Sequence, residues 1–154
     1  MKTLPNHFIF KEAESALKAG KNVSIRIVGR SMEPFLSDNK DIAKIIPCVS
    51  IKLRCGDVVL FRTHTSYCLH RIVTIKNDEI TLRGDGIYKY YETATLSEVI
   101  GVLHSVTRQS GRVVICNSAT WIIWSYIWKF LFPLRKYLLY IHFNMVLQSS
   151  SKSI

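Results

Sequence analysis

Beyond Glu98 the chain contains no aspartate or glutamate, while Arg108, Arg112, Lys129, Arg135, Lys136 and Lys152 remain. The net charge of +10 is thus spread unevenly. A basic tail of this kind faces either nucleic acid or an anionic lipid surface, and its residue mix separates the two. Cysteines are few: Cys48, Cys55, Cys68 and Cys116 show no CxxC spacing and no dense framework. Reduced thiols in a cytosol fit that pattern better than disulfides. Cys55, His64, Cys68 and His70 match no familiar zinc-ligand spacing either, and no metal is expected. The apolar run within the first ten residues is too short for a signal peptide and is interrupted by Lys11-Glu12, so no export signal or anchor is expected there. No internal repeat or low-complexity linker occurs.

At 154 residues the chain suits one domain with an appendage and is long enough to bury a core. The pattern predicts a helix from Phe8 to Ala19, with Gly20 as its stop, followed by a series of short strands. Strands are expected over Asn22–Val28, Asp41–Ile46, Gly56–Thr63, Tyr67–Ile75, Ile80–Arg83, Glu98–Arg108 and Arg112–Ile115. Lys76-Asn-Asp-Glu79 reads as a four-residue hairpin loop, and Gln109-Ser-Gly111 as the turn of a second hairpin. The expected organisation is a mainly β domain over residues 1–117, an apolar helical pair over 118–147 and a frayed tail over 148–154.

The helical pair is aromatic as well as apolar. Trp121 to Phe132 forms one half, Pro133-Leu-Arg-Lys136 interrupts, and Tyr137 to Leu147 resumes. Each half falls short of the roughly 20 residues needed to cross a bilayer. Trp and Tyr favour the membrane–water boundary, and Lys and Arg its cytoplasmic side. An interfacial pair on a membrane surface is the expectation, with packing onto the sheet or a partner protein as the alternative. Nucleic-acid binding calls for more positive charge and fewer bulky aliphatics, so no nucleic acid is expected.

Gly29-Arg30-Ser31-Met32-Glu33-Pro34 ends the first predicted strand with a serine just before a turn. Pro34 disfavours a helical conformation at Glu33, and a hydroxyl at such a strand end is held rigidly and left accessible, which suits a nucleophile. Three further segments follow: Gly56-Asp57-Val-Val59, His70-Arg-Ile-Val73 and Arg83-Gly-Asp85-Gly86. Together with Ser31-Met32-Glu-Pro34 they resemble, in order and spacing, the signature boxes of the signal peptidase I family. The resemblance spans about residues 23–107.

The resemblance implies a mainly β catalytic domain of the kind shared with the SOS-response repressors, and a serine endopeptidase that removes a leader from a peptide or protein precursor without a cofactor. It implies Ser31 as nucleophile, His70 as base, as in the histidine branch of the family, and Asp85 as the assisting carboxylate. Gly29, Arg30 and Met32 would border the substrate, while Asp57 and Pro34 would shape the site. Chemistry points the same way: a serine hydroxyl needs a base, and histidine, near pKa 6.5, is poised for that task and gains from a carboxylate that fixes its tautomer. Two departures stand out. Gly29 occupies the place of a serine that often adds an oxyanion donor, which leaves the backbone N–H of Ser31, and Gly86 replaces an asparagine. The expected location is the cytoplasm or the cytoplasmic face of the membrane. Self-cleavage at Ala19-Gly20, as in the repressors, and an idle membrane-associated binding module are the alternatives.

Overall fold

The computed structural model describes residues 6–48 and 51–151. Helix α1 (Asn6–Lys18) precedes strands β1 (Val23–Arg26), β2 (Ile42–Ile46), β3 (Val58–Arg62), β4 (Tyr67–Lys76), β5 (Glu79–Arg83), β6 (Glu92–Thr95), β7 (Val99–Thr107) and β8 (Val113–Ile115). Helices α2 (Ala119–Phe130) and α3 (Arg135–Ser151) follow, joined by a 3-10 turn over Phe132–Leu134. The expectation of a mainly β domain with a short N-terminal helix and a C-terminal helical pair therefore holds.

All eight strands belong to one antiparallel sheet in the order β1-β2-β7-β3-β4-β5-β6, with β8 also on β7. β7 is long enough for β3 to pair with its first half and β8 with its last three residues. Register shifts at Lys44/Ile45, Leu60/Phe61 and Ile72/Thr74 let the sheet curl, since an extra residue on one strand bends it. Consecutive residues of a strand face opposite sides. On β3, Val58 and Leu60 enter one apolar cluster with Leu17, Met32, Ile45 and Trp121, while Val59 and Phe61 enter a second with Ile72, Ile80 and Leu82. Both faces of the central strands are thus covered, which explains their unbroken apolar runs.

Several expectations need correcting. The hairpin between β4 and β5 pairs Lys76 with Glu79, so its loop is Asn77-Asp78 alone, with Asn77 at φ +55°. Asparagine tolerates that left-handed conformation better than most residues. The strand expected from Glu98 starts at Val99, because Leu96–Glu98 form a 3-10 turn with the Glu98 carboxylate accepting from the Thr95 N–H at 2.7 Å. β6 has no counterpart among the expected strands. α3 runs to Ser151, into the tail expected to fray; residues 152–154 lie outside the described ones, as do residues 49 and 50 of the Cys48–Cys55 segment.

The helical pair packs one face onto the β domain. Trp121 joins its core, Phe35 lies edge-on to both Trp121 and Trp128, and Leu139 is buried. The other face stays open: Trp124, Phe130, Tyr137 and Tyr140 are exposed, Phe130 by 82%. Among the described residues no helix is long and apolar enough to cross a membrane.

Candidate active site

Local sequence holds Ser31 at a turn. β1 stops at Arg26, and the chain then folds back, with Ile27 N–H donating to the Asp41 carbonyl and Asn39 N–H to the Ile27 carbonyl. Gly29 takes φ +95°, a left-handed conformation that suits glycine, and its N–H donates to Asp38 Oδ1 at 2.8 Å. Beyond Ser31, Met32 is buried to 2% exposure and Leu36 completely, so the core anchors the turn from below. Pro34 follows a cis Glu33–Pro34 bond inside that turn. Arg30, expected to border the substrate, keeps a partly exposed side chain whose guanidinium lies 4.9 Å from the centre of the Phe143 ring on α3.

A second loop supports the turn from the side. Gly86 N–H donates to the Ser31 carbonyl at 2.8 Å. A β-carbon on Gly86 would meet the Arg30 carbonyl oxygen at 2.4 Å, and one on Gly84 would meet that of Ser31 at 2.2 Å. Contacts this short exclude any side chain, so glycine at 86 is what lets the two backbones touch.

His70 sits in β4, buried, with its ring 6.0 Å from that of Phe61. Its Nδ1 is hydrogen-bonded to Glu92 Oε2, and Glu92 opens β6, held in register opposite Leu82. The other nitrogen, Nε2, looks toward the Ser31 turn. The point where a Gly84 β-carbon would stand lies 3.1 Å from Nε2 and 2.2 Å from the Ser31 carbonyl oxygen. Ser31 and His70 line the same cavity, of about 200 Å³. Among the described residues they share no direct hydrogen bond; such bonds often tighten only around substrate.

Asp85 is elsewhere. Its carboxylate is gripped bidentately by Arg71, with Nε to Oδ1 at 2.9 Å and Nη2 to Oδ2 at 2.6 Å, and both residues are buried. The cause is strand geometry: His70 and Arg71 are neighbours on β4 and point to opposite faces. A carboxylate that reaches Arg71 is therefore on the wrong side for His70. The carboxylate that reaches His70 is that of Glu92. Its sequence signal is slight, an acidic residue opening the short Glu92-Thr-Ala-Thr95.

Asp57 shapes a turn, its carboxylate accepting from the Arg54 N–H at 2.8 Å; burial raises its pKa. His142 approaches Glu33 at 3.2 Å from α3, while His64 and His104 are exposed. Ala19-Gly20 closes α1, with Gly20 N–H donating to the Leu17 carbonyl and Lys21 N–H to that of Ala16. Cys48, Cys55, Cys68 and Cys116 are all unpaired thiols. Among the described residues no three His, Cys, Asp or Glu side chains gather as a metal site.

Two open strand edges flank the Ser31–His70 cavity. Among the described residues β1 is the end strand of the sheet, and Tyr67 to His70 of β4 pair only with β3, because β5 joins β4 from Arg71 onward. Ile25, Val28 and Gly29 line the cavity from one side and Tyr67, Leu69 and His70 from the other. No protein-family profile matches the chain, and no curated protein does.

Proposed function

We propose that the chain is a serine endopeptidase of signal-peptidase type, in which Ser31 attacks and His70 is the base. The observation that carries this reading is that His70 is committed on one nitrogen to Glu92 while the other faces the Ser31 turn across a shared cavity. In such a site Ser31 Oγ adds to the scissile carbonyl as His70 Nε2 takes its proton. The protonated imidazole then delivers that proton to the departing amine, and water repeats the sequence to release the acyl group. Glu92 keeps the proton on Nδ1, leaving Nε2 free to accept, and stabilises the imidazolium that forms. The Ser31 N–H, which has no acceptor among the described residues, is the donor for the oxyanion.

The substrate is an extended peptide. β1 and the first half of β4 each offer unpaired main-chain groups beside the cavity, so a peptide entering between them adds as a strand. A leader joined to a peptide or protein precursor fits that mode. Ala19-Gly20 in this chain is coiled into a helix end and does not. The outer face of α2 and α3, with exposed Trp124, Phe130 and Tyr140 beside Lys136, supports placement on an anionic membrane surface. Binding to anionic but not neutral liposomes, weakened in a Trp124→Ser/Phe130→Ser double variant, is the expected result; failure to bind anionic liposomes removes that placement.

The deciding experiment incubates wild type, Ser31→Ala and His70→Ala with a library of extended peptides and reads products by mass. Cleavage by wild type alone is expected. Products shared by all three proteins, or none from any, end the peptidase reading.

A further inference from the structure

On the opposite side of the Arg71–Asp85 pair from the Ser31 cavity lies a larger one, between α2 and the sheet. Its volume of about 600 Å³ falls within the roughly 300–1,000 Å³ typical of sites for organic ligands. Six cationic side chains line it against only two carboxylates, those of Asp57 and Asp85. Asp85 is already engaged by Arg71, and Asp57 by backbone.

Two of the cations are buried without a counter-ion. Arg135 is 3% exposed and Arg83 8%, and among the described residues neither has a carboxylate within ion-pair distance. Arg135 donates from Nη2 to the Trp128 carbonyl at 3.0 Å, and its buried Nε has no acceptor among the described residues. Arg83 donates to the Tyr91 hydroxyl at 2.7 Å, and its guanidinium lies 4.3 Å from the centre of the Phe132 ring. Burial, then the nearby Arg83, lowers the Arg135 pKa to about 10. That still leaves it charged at neutral pH. A charge taken out of water without a partner is costly, and a guanidinium presents a fork that matches a carboxylate or phosphate. Ile46, Leu103, Trp121 and Trp128 form the apolar part of the wall, and His104, Asn117 and Ser125 add neutral polar groups to it.

We propose that this cavity binds an amphipathic organic anion, whose phosphate or carboxylate head meets Arg83 and Arg135 and whose apolar body lies along the tryptophans. The site is separate from the Ser31 groove and does not depend on peptidase activity. A lone inorganic anion would fill little of the volume and leave the apolar wall uncovered.

Intrinsic tryptophan fluorescence of the full chain, titrated with decyl phosphate below its aggregation threshold, tests this. Saturable binding of one molecule per chain is expected, at least tenfold tighter than decanol, which has the body without the acid, and than inorganic phosphate, which has the acid without the body. Arg83→Gln and Arg135→Gln should each weaken decyl phosphate binding at least tenfold and leave decanol unchanged, while Arg112→Gln on the surface should change neither. If Arg135→Gln fails to fold, Arg83→Gln and the wild-type comparison with decanol decide. Equal affinity for decanol and decyl phosphate, or wild-type affinity in Arg83→Gln, overturns the proposal. Monomeric dihexanoyl phosphatidate in place of decyl phosphate distinguishes the source of the head group. Tighter binding of the phosphatidate points to a lipid, tighter binding of decyl phosphate to a soluble monoester, and binding of neither overturns the site.

Discussion

Glu92 grips His70 through Nδ1 although 22 positions separate them in the chain, and Asp85, which is nearer in sequence, grips Arg71 instead. The two carboxylates lie on opposite sides of β4 and do different work. One orients a ring that faces the Ser31 turn. The other closes a buried ion pair beneath it.

Substitutions should separate those roles. Glu92→Gln is expected to lower kcat of the proposed peptidase reaction by roughly 10²-fold or more, because the imidazolium loses its counter-charge, with little change in melting temperature. Asp85→Ala leaves Arg71 buried and unpaired and should cost about 3–5 kcal/mol of stability. Denaturant melts beside steady-state rates make the comparison. An inactive but fully stable Asp85 variant, together with an unaffected Glu92 variant, would reverse the assignment.

Gly84→Ala probes the backbone contact under Ser31. The added methyl would stand 2.2 Å from the Ser31 carbonyl oxygen, so the turn must move, at about 1–3 kcal/mol, and activity should fall with it. Gly111→Ala makes a useful contrast: nothing lies within 4 Å, and only its φ of +82° is strained. It should lose about 1 kcal/mol and keep its rate. Equal activity in the two variants would separate the Gly84 contact from catalysis.

Glu14 fastens α1 to the sheet beside the Ser31 cavity. Hydrogen bonds from Lys18 first, and from the Tyr67 hydroxyl second, hold its carboxyl below the ordinary 4.5. A lowered folded pKa means that its contribution is complete above the unfolded value and is lost as pH falls through the folded one. Glu14→Gln should therefore cost about 1 kcal/mol near neutrality, and the gap in melting temperature from wild type should shrink as pH drops below about 4.5. A gap that stays constant down to pH 2 would mean that the carboxylate charge is not its source.

The thiols should react in a fixed order. Cys55 is exposed, whereas burial pushes the Cys116 thiol up to about 12 and also raises those of Cys48 and Cys68. Iodoacetamide at pH 8 should label Cys55 first and Cys116 only on unfolding, since the thiolate is the reacting form. Peptide mass mapping over time reads the order, and early labelling of Cys116 would contradict its burial.

Much of the fold was legible in the chain because it is written in local signals. Alternation in Val23–Arg26 and the glycine stop of α1 at Gly20, with φ +77°, act over a few residues and need no partner to be recognised. β6 escaped notice because four residues with a single buried side chain, Ala94, carry almost no periodic signal. The open question about the C-terminal pair had a double answer that composition could not supply. Trp121 and Leu139 are core residues, while Trp124 and Phe130, on the same helix as Trp121, face outward.

By itself the sequence determined that Ser31 stands at a turn and that His70 lies on a strand, since spacing and turn residues decide such matters locally; the strand expected to run up to Ser31 stops earlier, at Arg26. It also set Gly84 and Gly86 where two backbones could meet. Which carboxylate serves His70 was decided only by the tertiary structure. Adjacent side chains on β4 must point to opposite faces, so Arg71 draws Asp85 away from the ring, and the pairing of β6 with β5 brings Glu92 to it. The same alternation that buries β4 thus separates the two carboxylates, and no spacing along the chain could have shown it.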